Sequence, residues 1–179
     1  YGSPPKAEQR IYFANHQSHA DLVMIWAALP EELRSITRPI AARDYWTKSD
    51  FKRWITTAVF NAVYVDRERQ GDEDPLQPLI DALQSGDSLI IFPEGTRGHA
   101  AEPQAFKAGL YNLALRFPDV VLVPAWIANV QRVMPKGEVV PVPVLCSVTF
   151  GAPIRLEPGE ERRAFLDRAR AAVIALRDV

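Results

Sequence analysis

Apolar residues in this chain fall into two alternating rhythms. Unbroken β-rich runs of four to seven residues occur at Arg10–Ala14, Ser88–Phe92, Val120–Val123 and Val144–Phe150, with a shorter one at Val63–Val65. Runs without polar alternation suit strands buried on both faces. Between them, apolar positions recur every three or four residues, the signature of helices packed on one side. The expected helices are Ala20–Leu29, stopped by Pro30, then Asp44–Ala62, Leu76–Gln84, Phe106–Phe117 and Pro158–Arg177. In the second, Tyr45, Trp46, Phe51, Trp54, Ile55, Ala58 and Val59 form the stripe. In the last, Phe165, Ala169, Ala172, Val173 and Leu176 do. The acidic run Asp72-Glu-Asp74 before Pro75 announces the helix at Leu76. Strands alternating with helices predict a single-domain α/β fold with a mostly parallel central sheet flanked by helices. In such a sheet the active site lies at the carboxyl ends of the strands.

Composition narrows this picture. The 179 residues contain no internal repeat or linker, so one domain is expected over residues 1–179. An apolar share of 47% with 24% charged residues excludes disorder as the main state. A net charge of −1 argues against a dedicated nucleic-acid binder. The single Cys146 excludes an intrachain disulfide and a multi-cysteine metal site. Its position within Val144–Phe150 predicts a small buried residue. The longest charge-free run, Val139–Ile154, is interrupted by Pro141, Pro143 and Pro153, so no membrane-spanning helix is expected. The first residue is Tyr1 rather than Met, which is expected of a fragment lacking N-terminal residues.

The most chemically suggestive segment, Asn15-His-Gln-Ser-His-Ala-Asp21, follows the first strand and leads into a helix. Across such a loop Asp21 can reach the His16 imidazole, fix its tautomer and leave the second nitrogen free to take a proton from a hydroxyl. Ser18 and Asp21 also fit an N-terminal capping box, which needs no chemistry. A third reading takes His16, His19 and Asp21 as metal ligands, although nothing else clusters with them and the third histidine, His99, sits in a loop. Capping and catalysis are compatible.

Two later strand ends carry arginines: Val65-Asp-Arg67 and Phe92-Pro-Glu-Gly-Thr-Arg97. Guanidinium groups match phosphate oxygens bidentately, and Gly95 lets backbone approach a ligand. Lys107 falls at the start of the next expected helix, where amide groups also favour an anion. Three cations directed at the crevice of His16 suggest a phosphorylated substrate. For any one of them a surface ion pair is the plain alternative; Arg67 has Asp66 and Glu68 beside it.

Taken in order, these segments resemble the glycerolipid acyltransferases, notably the lysophosphatidic acid acyltransferases. Asn15-His16 with Asp21 resembles the family's first block, Val63-Tyr-Val-Asp-Arg67 its second, and Phe92-Pro-Glu-Gly-Thr-Arg97 followed by Phe106-Lys-Ala-Gly109 its third. Val121-Leu-Val-Pro-Ala125 resembles the fourth, so the set covers residues 15–125. One departure is Asn61, which stands where the second block commonly opens with glycine; asparagine tolerates the left-handed backbone that such a turn needs.

The resemblance implies transfer of a fatty acyl group from acyl-CoA or acyl carrier protein to the hydroxyl of lysophosphatidic acid. The product would be phosphatidic acid, an intermediate of phospholipid biosynthesis. Another lysolipid or glycerol 3-phosphate is the alternative acceptor. His16 would be the base and Asp21 its orienter. Arg67, Arg97 and Lys107 would hold the acceptor phosphate, with Glu94, Gly95 and Thr96 shaping that site. The thioester is a co-substrate, and neither a further cofactor nor a metal is required.

Two other classes stay in view. A hydrolase would want a nucleophilic serine in a strained elbow, and no Gly-x-Ser-x-Gly occurs. A non-catalytic phospholipid-binding module would keep the basic loops but needs no His16–Asp21 pair. A membrane surface is the remaining expected partner, at the cytoplasmic face. The segment from Arg43 to Arg53 mixes Tyr45, Trp46 and Phe51 with Lys48 and Lys52, which suits either a lipid interface or a solvated helix with buried rings.

Overall fold

The computed structural model describes residues 8–66, 74–128 and 146–179. Six strands form one sheet in the order β3-β2-β4-β1-β5-β6. They are β1 (Arg10–Ala14), β2 (Thr37–Ala42), β3 (Val63–Val65), β4 (Ser88–Ile91), β5 (Val121–Ile127) and β6 (Val148–Phe150). The first five run parallel, and β6 joins β5 antiparallel at the edge. At the centre, Ile11, Tyr12 and Phe13 of β1 pair with Leu89, Ile90 and Ile91 of β4 on one side. On the other, Tyr12 and Phe13 pair with Val123 and Pro124 of β5.

Alternate residues of β1 feed two cores, so the sheet is buried on both faces as its unbroken apolar runs predict. Ile11 and Phe13 pack with α5 (Gln77–Gln84), α6 (Gly109–Arg116) and α7 (Arg162–Ile174) through Leu79, Leu83, Leu110, Leu113, Phe165 and Val173. Tyr12 and Ala14 pack on the opposite face against Ile25 and Leu29, at and just beyond α1 (Asp21–Ala28). The expected α/β architecture is therefore the one observed.

Several elements depart from expectation. The strand β2 is unforeseen; it follows a short α2 (Glu31–Arg34). Its first half, through Pro39, pairs with β4, and from Ile40 onward the pairing passes to β3. The helix expected over Asp44–Ala62 is broken into α3 (Arg43–Trp46), α4 (Asp50–Trp54) and a π-helical turn, Ile55–Val59. The break lies at Ser49, whose extended backbone restarts the helix and whose hydroxyl accepts from the Lys52 N–H at 3.2 Å. Strand β5 continues past Pro124 to Ile127. The Pro124 carbonyl accepts from Gly151 N–H at 2.8 Å. A strand residue's N and C=O point the same way, so the missing donor faces that side, where the ladder lapses between β6 and the Leu122–Ile154 bridge.

The expectation for Cys146 is corrected. It lies just before a three-residue β6 and is exposed. Val144 and Leu145, which would have lengthened that strand, fall outside the described residues.

Candidate active site

Strands β4 and β1 are neighbours, so the chains leaving their carboxyl ends run side by side. The loop after β1 carries His16, and the loop after β4 runs from Phe92 to Gly98. The first is tied to β5 by Asn15, buried to 3% exposure. Its side-chain amide donates to the Ile127 carbonyl at 3.1 Å and accepts from the Ile127 N–H at 2.8 Å, extending the β1–β5 pairing by one side chain. This tie had no role assigned from sequence. A buried asparagine following an apolar strand was the only signal for it.

His16 is held at backbone and ring. Its N–H donates to Glu94 Oε1 at 2.9 Å and its carbonyl accepts from Gly98 N–H at 2.8 Å. The ring stacks on Phe92 with centroids 4.3 Å apart and planes at 18°. Its Nδ1 meets Asp21 Oδ2 at 3.1 Å. Asp21 is 2% exposed, and the same oxygen accepts from Gln17 N–H at 2.7 Å and Ser18 N–H at 2.8 Å. The capping box expected at Ser18 is corrected: α1 starts at Asp21 after Ala20 with no side-chain cap. The Ser18 hydroxyl accepts from the Ala20 N–H, and only the Asp21 half of the box, its bond from the Ser18 N–H, is present. A carboxylate at Nδ1 leaves Nε2 to act on a substrate. That tautomer is assigned from the contact.

Glu94 is 2% exposed, and its second oxygen accepts from Gln104 N–H at 2.8 Å. It is a brace across three chain segments. Gly98 is where this brace needs space, since a Cβ there would lie 3.0 Å from Glu94 Oε2. Gly95 has φ +73°, and a Cβ on it would lie 2.8 Å from Lys107 Nζ, so glycine allows Lys107 to lie over the loop.

A cavity of about 620 Å³ opens beside the histidine. His16, Gly95, Thr96 and Lys107 line its polar part, and Leu22, Ile40, Leu76, Leu79, Leu110 and Leu113 its apolar walls. His19 and Trp46 also line it, and His19 is stacked on Tyr45 with centroids 3.4 Å apart. Sequence reasoning offered His19 only as a metal ligand and Phe92 only as the end of a strand and of a motif, and gave neither a part in lining the cavity or packing against the base. Among the described residues no three His, Cys, Asp or Glu side chains gather as a metal set.

The expected cations are placed unequally. Lys107 reaches the cavity, although it precedes α6 by two residues rather than starting the helix. Arg97 is exposed on the same loop and is not among the cavity-lining residues. Among the described residues it makes no ion pair. Arg67 lies outside the described residues, although Val65 and Asp66 just before it line the cavity. Asn61 adopts φ 47°, the left-handed backbone expected at its position.

A carboxylate-backed histidine thus stands at the carboxyl edge of a largely parallel α/β sheet, beside a cavity with mostly apolar walls. The chain belongs to the acyltransferase family, whose family model, described as Acyltransferase, matches residues 3–128. It is 29% identical over 178 residues to human 1-acyl-sn-glycerol-3-phosphate acyltransferase alpha, covering 96% of this chain and 60% of that protein. It is 28% identical over 178 residues to the coconut (Cocos nucifera) 1-acyl-sn-glycerol-3-phosphate acyltransferase, covering 90% and 51%. To the Taffazin of Dictyostelium discoideum it is 30% identical over 145 residues, covering 74% and 49%. The chain thus spans about 60% or less of the length of these relatives. Its fold is that of the 1-acyl-sn-glycerophosphate (LPA) acyltransferase PlsC from Thermotoga maritima. The TM-score is 0.69 at 24% identity, over 96% of this chain and 66% of that one.

Proposed function

We propose that residues 1–179 form one acyltransferase domain that moves a fatty acyl group from acyl-CoA or acyl carrier protein to the free hydroxyl of lysophosphatidic acid, giving phosphatidic acid. The observation that carries this reading is the His16–Asp21 contact of 3.1 Å at the polar end of an apolar cavity of about 620 Å³. That volume lies within the roughly 300–1,000 Å³ of ligand cavities, and its leucine walls suit a hydrocarbon chain. Relatives named 1-acyl-sn-glycerol-3-phosphate acyltransferase support the choice of acceptor.

An alcohol is a poor nucleophile at neutral pH. His16 Nε2 takes its proton as the oxygen attacks the thioester carbonyl, a contribution of typically ~10²–10⁴-fold. The ring becomes an imidazolium, and the Asp21 carboxylate stabilises it. When the intermediate collapses the C–S bond breaks, and His16 returns the proton to the departing thiolate. The thioester is already activated, so no covalent acyl-enzyme is needed. Lys107 holds the acceptor phosphate, and Arg97 and Arg67 are assigned to the same anion from their loops. Gly95 and Thr96, which line the cavity, form the wall against which it rests, and the buried Glu94 shapes that wall from behind by bracing its loop. Long-chain lysolipids reside in bilayers, and thioester donors of this kind are cytoplasmic, so the reading sets the domain on a membrane surface facing the cytoplasm.

The test is thiol release from acyl-CoA with a panel of lysolipid acceptors, for the wild type and His16→Ala. The expected result is acceptor-dependent release preferring lysophosphatidic acid, lost by ~10²–10⁴-fold in the variant with unchanged circular dichroism. Near wild-type turnover by His16→Ala would remove the histidine from the mechanism.

A further inference from the structure

The apolar stripe of the segment 44–62 predicts a buried helix face, yet part of it is turned outward. Phe51 is 68% exposed, Trp54 58% and Val59 41%. The inward face is held by Thr56, fully buried, and Phe60. Thr56 Oγ1 bonds to the Lys52 and Arg53 carbonyls and to the Tyr64 hydroxyl, which fixes the rotation of α4 and the π-helical turn about their axis. The outward rings form a pair with centroids 6.2 Å apart. Three large apolar side chains exposed together on about two turns of helix are unusual for a solvated surface.

Charge distinguishes what covers them. From residue 43 to 54 the chain carries four bases against two acids, within a protein of net charge −1. Arg43 is engaged with Asp66 at 3.1 Å, and Lys52 lies 3.8 Å over the Tyr45 ring. Lys48 and Arg53 are exposed, Arg53 next to Trp54 in the chain and donating to the Thr47 carbonyl at 3.3 Å. A second copy of this face would meet the first about a two-fold axis and bring these like charges together. An anionic, half-apolar partner satisfies rings and bases at once.

Position adds a second argument. The Tyr45 ring under Lys52 stacks on His19, in the loop between His16 and Asp21. His19 and Trp46 both line the cavity. The helix that carries the outward rings is therefore tied to the cavity wall through Lys52, Tyr45 and His19.

We propose that α4 and the π-helical turn are the surface by which this domain meets an anionic lipid leaflet. Phe51 and Trp54 seat at the level of the headgroups, where amphipathic rings concentrate, and Lys48 and Arg53 pair with lipid phosphates. The inference rests on the acyltransferase reading only for what the docking achieves, which is to bring the cavity to an acceptor in the leaflet.

The test uses the 179-residue chain, with vesicles of phosphatidylcholine alone or mixed with phosphatidylglycerol, sedimented at low and high salt. The wild type is expected to bind the anionic vesicles and to lose binding as salt rises. Phe51→Ser with Trp54→Ser should weaken that binding by about 100-fold, roughly ten-fold per ring. Lys48→Ala with Arg53→Ala should weaken it by about 30-fold at low salt only, roughly five-fold per base. Turnover of a short-chain acceptor, dispersed as monomers, should be unchanged in both double variants. If short-chain turnover is absent from every form, the acyltransferase reading fails, while vesicle binding still decides this one. Binding by the ring variant equal to the wild type would overturn the proposal, as would absence of wild-type binding. A wild-type dimer in lipid-free solution that the ring variant converts to monomer would overturn it in favour of self-association.

Discussion

Asp21 is the residue at which a capping role and a catalytic role can be separated by experiment. Its Oδ2 receives three donors, two from backbone and one from His16. Asn at this position keeps an acceptor oxygen for all three and removes only the charge. The interaction lost is the charge-assisted one with the imidazolium, about 1.5–3 kcal/mol, so kcat should fall about 10- to 150-fold. Stability should change by less than about 0.5 kcal/mol, because both backbone donors remain satisfied. Ala removes the acceptor altogether and leaves two N–H groups without a partner, at about 1–3 kcal/mol each when fully buried. Gln17 and Ser18 are half-buried, so the low end applies. The expected loss is about 2 kcal/mol, or ~4–8 °C in Tm for a domain of this size. Steady-state thiol release and differential scanning calorimetry on Asp21→Asn and Asp21→Ala give both quantities. If Asp21→Asn turned over like the wild type, the carboxylate would be a cap and nothing more.

Glu94→Gln should destabilise by about 2 kcal/mol and slow transfer, because an amide accepts at one end only and would set its NH2 against the N–H of His16 or Gln104; an unchanged urea midpoint would remove the brace. Lys107→Ala should raise the acceptor KM about ten-fold, the low end for a charge-assisted contact because Lys107 is exposed. A rise confined to the donor KM would reassign the lysine to donor phosphates. Glu160 is paired in parallel with Arg168, at 2.9 and 2.8 Å, and these bonds hold its carboxyl below the ordinary 4.5. A carboxyl lowered on folding stabilises above its unfolded value and loses that contribution as pH falls through the folded one. Glu160→Gln should therefore flatten the acid limb of stability below about pH 4.5 and lower stability near neutrality, read by thermal melts across pH.

Most of the fold was legible because its strands are buried on both faces and therefore read as unbroken apolar runs. The strand β2 escaped because Thr37-Arg-Pro-Ile-Ala-Ala contains one large aliphatic residue and a proline, and alternates buried with half-buried positions. A proline within a run argues against a central strand until one sees pairing change neighbours beside it. The segment 44–62 was misjudged for a different reason. Its period is helical, but the side that faces the core is set by Thr56 and Phe60, which periodicity alone does not mark. At the site, His16, Asp21, Gly95 and Lys107 were legible from residue type and their place after strands. Phe92, His19 and the ties made by Asn15 were not, because stacking and side-chain-to-backbone bonds across 112 residues leave no periodic trace.

Glu94 grips only main-chain N–H groups, one on His16 and one on Gln104. A clamp on the backbone is indifferent to the side chain its partner carries. Gln104 is exposed and can be exchanged without disturbing the register of the base. The same holds for Gln17, whose contact to Asp21 is also made through backbone, whereas the Ser18 hydroxyl itself accepts from the Ala20 N–H. The placing of the base is thereby decoupled from the side chains at 17 and 104, which can be exchanged while the backbone that carries His16 keeps its shape.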